Sequence, residues 1–154
     1  MKSLMITCML LMSSVLSAAN FTVNKIDHIV LKVPQTSKDA VIEFYTKILG
    51  LNVERELEEL HLLQLRAGGS LIDLIVVPEN KIDQSQGNVD HFCLEITTND
   101  LKQVQKYLVE NGVEVTSEVV TRYGAGGYGN SLYLLDPIGN AIELKMAESL
   151  PVGF

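Results

Sequence analysis

The sequence predicts an α+β fold built from two tandem βαβββ modules, and three observations lead to this prediction. Residues 25–33 return as residues 88–96, and each stretch carries an Asp-His pair followed by alternating apolar residues. A second echo relates residues 65–74 to residues 135–144, where each stretch reads as strand, glycine-containing turn and strand. Such alternation is typical of a β-strand with one buried face. Between its two echoes, each half also holds one helix-like segment.

The helices are predicted over residues 37–49 and 100–111. Asn99 or Asp100 begins the second helix, because such side chains accept hydrogen bonds from the free N–H groups of a first turn. Glycine readily adopts the left-handed conformation that ends many helices, and one follows each segment: Gly50 and Gly112. Each half therefore runs strand, helix and then about three strands.

Equivalent positions of the two halves are separated by similar numbers of residues along the chain, which indicates duplication of one module. The separation is 63 residues for His28 and His91, 62 for Gly50 and Gly112, and 70 for Asp73 and Glu143. An insertion in the glycine-rich segment 123–129 accounts for the seven extra residues. We therefore expect one domain over residues 20–154, with modules at 25–77 and 88–146 joined by a polar linker at 78–87.

The first 19 residues have the layout of a secretory signal peptide. Lys2 precedes an uncharged, Leu- and Met-rich stretch over residues 3–15, and small residues follow up to Ala19. Cleavage after Ala19 would give an exported protein with no membrane segment; if the leader is misread, the protein is cytoplasmic. Export would leave Cys93 as the only cysteine, so no intrachain disulfide is expected.

Composition and charge describe an ordinary globular chain of 154 residues, 47% hydrophobic and 20% charged. The formal net charge of −7 and the absence of a Lys/Arg cluster exclude nucleic acid as an expected partner, since phosphate binding needs a basic face. An acidic chain favours a divalent cation instead.

Strand alternation places one imidazole and one carboxylate of each half on the face opposite the apolar residues. These four residues are His28, Asp73, His91 and Glu143. A carboxylate within an apolar strand is costly unless it is paired, hydrogen-bonded or bound to metal. Two imidazoles and two carboxylates would balance the charge of one divalent ion, with Ni²⁺, Co²⁺, Mn²⁺, Fe²⁺ or Zn²⁺ as the suitable choices.

These motifs resemble the vicinal oxygen chelate superfamily, which includes glyoxalase I, fosfomycin-resistance enzymes, methylmalonyl-CoA epimerase and extradiol dioxygenases. The resemblance covers about residues 25–146 and rests on the Asp-His strand starts, the helix end around Phe44-Tyr45 and Leu49-Gly50-Leu51, and the stretch DPIGNAIE at 136–143. It implies paired βαβββ modules that form a metal-binding cup. It also implies a homodimer, sometimes with modules exchanged between chains.

Carried over by position, the resemblance implies that His28, His91 and Glu143 bind the metal. Asp73 stands where glyoxalase I has a glutamate. The shorter side chain departs from the family pattern, so Asp73 binds the ion directly, binds it through water, or acts as a base.

The segment Arg122-Tyr123-Gly124, followed by the glycine run and Ser131, is similar to a loop near the substrate mouth of glyoxalase-domain proteins. The resemblance implies that Arg122, Tyr123 and Ser131 contact the substrate. An anionic substrate would be held by Arg122 and backbone N–H groups.

The implied activity is that of a metal-dependent, glyoxalase-like lyase or isomerase, acting on a small molecule that chelates the metal through adjacent oxygens. Glu143 or Asp73 would shuttle the proton. With Asp73 off the metal, two His and one Glu fit a fosfomycin-type transferase or a dioxygenase instead. The non-enzymatic alternative is a metal-free, bleomycin-type binding protein. Export conflicts with glutathione as a cosubstrate, because that thiol pool is cytosolic.

Overall fold

The computed structural model describes residues 23–81 and 88–147, and these residues form two four-stranded sheets with helices on one side. The first module contains β1 (His28–Pro34), α1 (Lys38–Glu43), β2 (Asn52–Leu57), β3 (Leu62–Ala67) and β4 (Ser70–Val77). The second contains β5 (Phe92–Ile96), α2 (Leu101–Glu110), β6 (Val120–Gly124), β7 (Gly127–Leu135) and β8 (Ala141–Met146). The predicted α+β fold of tandem βαβββ modules is confirmed. The proposed leader and most of the linker lie outside the described residues.

The two sheets share one topology, with strand orders β1-β4-β3-β2 and β5-β8-β7-β6. In each sheet the first strand pairs in parallel with the last, and the remaining pairs are antiparallel. Glu143 pairs with Cys93 just as Asp73 pairs with Val30. The register therefore reproduces the duplication residue by residue.

The helices begin and end close to the predicted positions. Asp100 caps α2, because its side chain accepts a hydrogen bond from the backbone N–H of Lys102 at 2.9 Å. The helical run that starts with α1 continues through one wider turn, Phe44–Ile48, before the chain reverses. Gly50 and Gly112 have φ of +72° and +75°, which a side chain would disfavour. Within the described residues, no helix is long and apolar enough to cross a membrane.

The apolar face of each sheet lies against the helices, as alternation predicts. In β1 exposure alternates, and Val33 is fully covered while His28, Val30 and Lys32 are exposed. The core joins both modules, with Leu65, Ile72 and Leu74 from the first and Leu132, Leu134 and Ile142 from the second. The face of each sheet that carries the predicted site residues is thus the one turned away from the helices.

The two modules meet on their helical sides. The buried Tyr45 hydroxyl, from the turn that extends α1, donates a hydrogen bond to Asp136 in the β7–β8 connection at 2.9 Å. Tyr107 of α2 donates to the carbonyl of Ile48 at 3.3 Å. The modules therefore join through these helical segments and the β7–β8 connection.

The DPIGN stretch at 136–140 builds the turn that receives Tyr45. One carboxylate oxygen of Asp136 accepts hydrogen bonds from the backbone N–H groups of Ile138 and Asn140, at 3.0 and 2.8 Å. The other accepts from Tyr45 and from the Asn140 side chain. Burial and the neighbouring carboxylate raise the pKa of Tyr45 well above its usual range. Asp136 therefore organises the turn and joins the modules.

Candidate functional site

The polar face of the second sheet, called here the β8 face, presents two rows of side chains across three strands. Tyr133, Glu143 and Cys93 form one row on β7, β8 and β5, and Ser131, Lys145 and Glu95 form the next. Glu143, Lys145 and Ser131 are buried although they lie on the polar side. Buried polar groups concentrated on one face mark it as the candidate site.

His91 stands beside Glu143 at the start of β5. Its Nε2 lies 3.1 Å from Oε2 of Glu143, and its Nδ1 lies 2.7 Å from Oδ2 of Asp90. The hydrogen bond with Asp90 is the main reason that the pKa of His91 is raised, and Glu143 acts in the same direction. Each ring nitrogen faces a carboxylate oxygen, which can only accept a hydrogen bond. A metal cation would fit in the place that a proton occupies between Nε2 and Glu143.

Glu143 keeps an oxygen free for a ligand. Burial alone would raise its pKa, but the nearby hydroxyls of Ser131 and Tyr133 and the His91 imidazole outweigh burial and lower it. Oε1 of Glu143 and Oγ of Ser131 are buried, and neither has a hydrogen-bond partner among the described residues. A buried carboxylate oxygen without a donor is costly, and a cation or a substrate proton would satisfy it.

Cys93 lies next to Glu143 but is poorly suited to act as a nucleophile. Burial raises the pKa of its thiol to about 11, and the neighbouring Glu143 adds to the rise. The raised pKa lowers the fraction of thiolate, the reactive form, near neutral pH.

Asp73 occupies the equivalent place on the first sheet but is held by its own neighbours. Gln64 donates from its side-chain amide to both carboxylate oxygens of Asp73, at 2.9 and 2.8 Å. Arg55 in turn donates to the Gln64 carbonyl. Asp73 and Gln64 are both buried. The Asp73 carboxylate is therefore satisfied within its own sheet, as a hydrogen-bonded structural acid would be.

His28 starts β1 and remains open to solvent. Its Nδ1 lies 3.1 Å from Oδ1 of Asp27, which repeats the contact between His91 and Asp90. A carboxylate at Nδ1 fixes the ring and leaves Nε2 available, the arrangement common around metal-binding histidines. The repeated Asp-His pair thus has the same local geometry in both modules.

That His28, Asp73, His91 and Glu143 bind one metal ion stays a prediction. Among residues 23–81 and 88–147, no group of three or more His, Cys, Asp or Glu side chains is placed to hold an ion. His91 and Glu143 lie together on the second sheet, whereas His28 and Asp73 lie on the first.

The three residues predicted to contact the substrate do not all lie on the same face of the second sheet. The expected loop is instead the β6–β7 hairpin, where Arg122 pairs with Gly129 and Tyr123 with Tyr128. Arg122 and Ser131 share the β8 face, and the Arg122 guanidinium lies 5.9 Å from the centre of the Tyr133 ring. Tyr123 points to the opposite side, since successive strand residues alternate, and packs edge-on against Tyr128. The pairing of β6 with β7 also engages backbone N–H groups that were predicted to bind an anionic substrate.

Two buried polar residues, Gln64 on the first sheet and Lys145 on the second, were not singled out from the sequence. Gln64 lies opposite Asp73 on an adjacent strand, a position typical of a hydrogen-bonded pair. Lys145 follows Glu143 by two residues, which puts both on one face, and a buried lysine there was not foreseen.

Comparison with known proteins gives one family match and several relatives. The family described as the Glyoxalase/Bleomycin resistance protein/Dioxygenase superfamily matches residues 25–144. Virulence protein STM3117 of Salmonella typhimurium is 29% identical over 126 residues, which cover 80% of this chain and 84% of the relative.

Solved structures with the same fold are similar over most of their length. The crystal structure of STM3117 has a TM-score of 0.62 at 27% identity and covers 82% of this chain and 98% of its own. An integron cassette protein of V. cholerae has the same TM-score and identity, covering 82% and 97%. A lactoylglutathione lyase of Agrobacterium tumefaciens, at 19% identity, a TM-score of 0.56 and coverage of 84% and 97%, shares the fold.

Proposed function

The chain belongs to the glyoxalase/bleomycin resistance protein/dioxygenase superfamily, and we propose that it is a metal-dependent enzyme whose small substrate chelates the ion through adjacent oxygens. The observation that carries the proposal is the contact between His91 and Glu143. An imidazole nitrogen and a carboxylate oxygen lie side by side, and the second carboxylate oxygen is buried without a partner. Both are ligands that Ni²⁺, Co²⁺, Mn²⁺, Fe²⁺ and Zn²⁺ accept.

We propose that a second copy of the chain completes this half-site. His28 is exposed on the first sheet and its Asp27 partner leaves Nε2 available. Docking the first sheet of one copy against the β8 face of another would bring His28 to the pair formed by His91 and Glu143. A two-fold dimer made in this way contains two equivalent sites.

In the proposed reaction, a bound divalent ion supplies Lewis-acid stabilisation of negative charge on substrate oxygen. Glu143 is the proton carrier of this chain. Its pKa is lowered, so the carboxylate is ionised at neutral pH, and Oε1 is free to take a proton from a substrate carbon and return it to the neighbouring atom. A lyase or isomerase reaction of the glyoxalase type uses such a transfer.

A second candidate is favoured by the contact between Gln64 and Asp73. Because both Asp73 oxygens are occupied, the available set is His28, His91 and Glu143. Two histidines and one carboxylate suit a fosfomycin-type transferase or a dioxygenase. The two candidates differ in whether Asp73 is required.

Metal analysis of the purified protein tests the proposal. We expect one divalent ion per chain in the wild type, and its loss in His28→Ala, His91→Ala and Glu143→Ala. Asp73→Asn keeps the metal under the three-ligand candidate and loses it under the four-ligand candidate. Asp39→Asn is the control, since Asp39 is exposed on α1. A wild-type protein that stays metal-free after incubation with each of the five ions would overturn the proposal and favour a binding protein.

Turnover then separates the reaction types. A hemithioacetal tests the lyase or isomerase candidate, fosfomycin with a thiol tests the transferase, and a catechol tests the dioxygenase. Export is also proposed, from the leader at residues 1–19. N-terminal sequencing of the protein recovered outside the cytoplasm would begin at Asn20 if the leader is cleaved, and at Met1 or Lys2 if it is not.

A further inference from the structure

A cavity of about 400 Å³ opens on the helical side of the first module, between α1 and the sheet. Its volume is within the range of pockets that bind small molecules. Neither Phe nor Tyr is among the described residues that line it. The floor is aliphatic, and its buried or partly buried side chains are those of Val33, Ile42, Leu57, Leu63, Leu74 and Val76.

The cavity lies outside the proposed metal site. Leu74 and Val76 of β4 line the cavity, whereas Asp73 of the same strand projects from the opposite face of the sheet. His28 lies on the same face as Asp73, because β1 and β4 are paired in parallel and in register. A ligand in the cavity would therefore be separated from both residues by the sheet.

Two opposite charges lie at the rim of the cavity, on the face that is otherwise apolar. Glu56 of β2 pairs with Leu63, so both side chains project from the helical face of the sheet. Lys38, the first residue of α1, lines the same cavity and is half-buried. The ion pairs among residues 23–81 and 88–147 include neither Lys38 nor Glu56. Each group is thus available to a ligand of the opposite charge.

In the second module a buried leucine takes the position of Lys38. Leu101 follows Lys38 by 63 residues, the same separation as that of the histidines in the two Asp-His pairs. Tyr45 and Leu108 are also 63 residues apart and are both buried, which supports this alignment of the helices. Leu101 is only 3% exposed and belongs to the core.

A valine takes the position of Glu56. Leu132 is the counterpart of Leu63 in the register of the two sheets. Glu56 lies beside Leu63, and the register of β6 and β7 places Val119 beside Leu132 in the same way. Val119 is partly buried against the core. The fold itself therefore needs no charge at either position, and the lysine and the glutamate call for another explanation.

A third polar side chain at the cavity comes from a residue with unusual backbone geometry. His61 has φ of +50°, in the left-handed region that favours glycine. Its N–H donates to the Glu58 carbonyl at 3.0 Å, and its carbonyl accepts from the N–H of Val76 at 2.9 Å. These bonds fix the backbone, and the side chain lines the cavity. Residues held in this region are found disproportionately at ligand sites.

We propose that this cavity binds an aliphatic α-amino acid, with its hydrocarbon side chain on the floor, its carboxylate at Lys38 and His61, and its ammonium group at Glu56. The Val, Leu and Ile side chains bury aliphatic surface of the ligand. The separate cation and anion at the rim match a zwitterion. A simple carboxylate would leave Glu56 without a partner, and a simple amine would leave Lys38 without one.

Calorimetric titration of the full-length chain with three probes tests the ligand class. The probes are L-leucine, 4-methylpentanoate, which lacks the ammonium group, and 3-methylbutylamine, which lacks the carboxylate. We expect leucine to bind and each of the other two to bind at least tenfold more weakly. A wild-type protein that binds none of the three would overturn the proposal. Equal or tighter binding of the acid or the amine would overturn the zwitterion.

Single substitutions test the rim. Lys38→Met and Glu56→Gln should each weaken leucine binding at least tenfold. His61→Asn should weaken it several-fold, because asparagine tolerates the left-handed conformation but lacks the imidazole. Lys106→Met and Glu110→Gln are the controls, since these residues form an exposed ion pair on α2, and both variants should bind like the wild type. Wild-type affinity in folded Lys38→Met or Glu56→Gln would overturn the site.

A double substitution that copies the second module guards against a folding defect. Lys38→Leu combined with Glu56→Val places apolar residues where the second module has them, so the protein should fold with a urea midpoint at or above that of the wild type. It should bind leucine at least tenfold more weakly and keep the metal content of the wild type. If the single variants fail to fold, this variant decides the question. Wild-type affinity for leucine in the double variant would overturn the site, whatever the metal content proves to be.

Discussion

Gln64 donates one hydrogen bond to each carboxylate oxygen of Asp73, at 2.9 and 2.8 Å. The pair is buried, and Arg55 orients the glutamine from the adjacent strand. A carboxylate held in this way has satisfied most of its need for donors without a metal. The equivalent Glu143 has a free oxygen, so the two duplicated acids have become different chemical groups.

Gln64→Leu should destabilise the folded chain by about 1–3 kcal/mol, because the Asp73 carboxylate would remain buried without its two donors. Urea unfolding followed by circular dichroism measures the loss. Gln103→Leu is the matched control, since Gln103 makes its hydrogen bond on the exposed surface of α2. Equal stability of the two variants would mean that the contact contributes little.

Mixing two inactive variants should restore metal binding if a second copy completes the site. His28→Ala lacks the first-sheet ligand and Glu143→Ala lacks the second-sheet ligand. A dimer with one copy of each contains one intact site, so random mixing should recover about a quarter of the wild-type metal per chain. Both variants are refolded together and their metal content is measured.

The control for this experiment combines two variants of the same face. A mixture of His91→Ala and Glu143→Ala leaves one defect in every site and should recover no metal. If neither mixture recovers metal, the result contradicts a site shared between copies.

Asp90→Asn should weaken metal affinity about 10–100-fold, because the carboxylate at Nδ1 fixes the His91 ring and increases its basicity. Competition with a chelator of known affinity measures the change. Asp27→Asn should act in the same direction through His28, whereas Asp39→Asn should have no effect. Unchanged metal affinity in both Asp90→Asn and Asp27→Asn would show that His91 and His28 do not bind the metal.

Tyr45→Phe should cost about 1–3 kcal/mol near neutral pH and change the alkaline limit of stability. The pKa of Tyr45 is raised in the folded chain, so its stabilising contribution is complete below the unfolded pKa of about 10 and is lost as the pH rises above that value. Unfolding curves between pH 8 and about 11.5 should therefore fall more steeply for the wild type than for Tyr45→Phe. Parallel curves would show that Tyr45 ionises normally.

The sequence was sufficient for the fold and for the faces on which His28, His91 and Glu143 lie. Alternation with a period of two assigned His91 and Glu143 to one side of their sheet, because neighbouring side chains on a strand must point in opposite directions. The helix cap was predicted at Asn99 or Asp100 for the same kind of reason, since its chemistry acts within one turn, and Asp100 is the residue that caps α2. Local rules of this kind do not depend on how distant segments pack.

The parts that the sequence could not predict depend on packing between segments. Alternation gives the side of a sheet on which a residue lies but not how the two sheets pack against each other, so convergence of His28 on Glu143 stays a prediction. The β6–β7 hairpin was read as a loop because its glycines hide the apolar alternation. That reading missed the outward direction of Tyr123.

The parallel pairing of the first and last strand in each module affects the order of events during folding. Phe92 pairs with Ile142, 50 residues further along the chain, and His28 pairs with Leu71, 43 residues further along. Hairpins such as β3–β4 and β6–β7 need only short loop closures, so they can form early. The strands that follow the two histidines gain their partners only when a long segment has been ordered, and such contacts slow a folding reaction. The histidine-bearing ends are therefore expected to be assembled late.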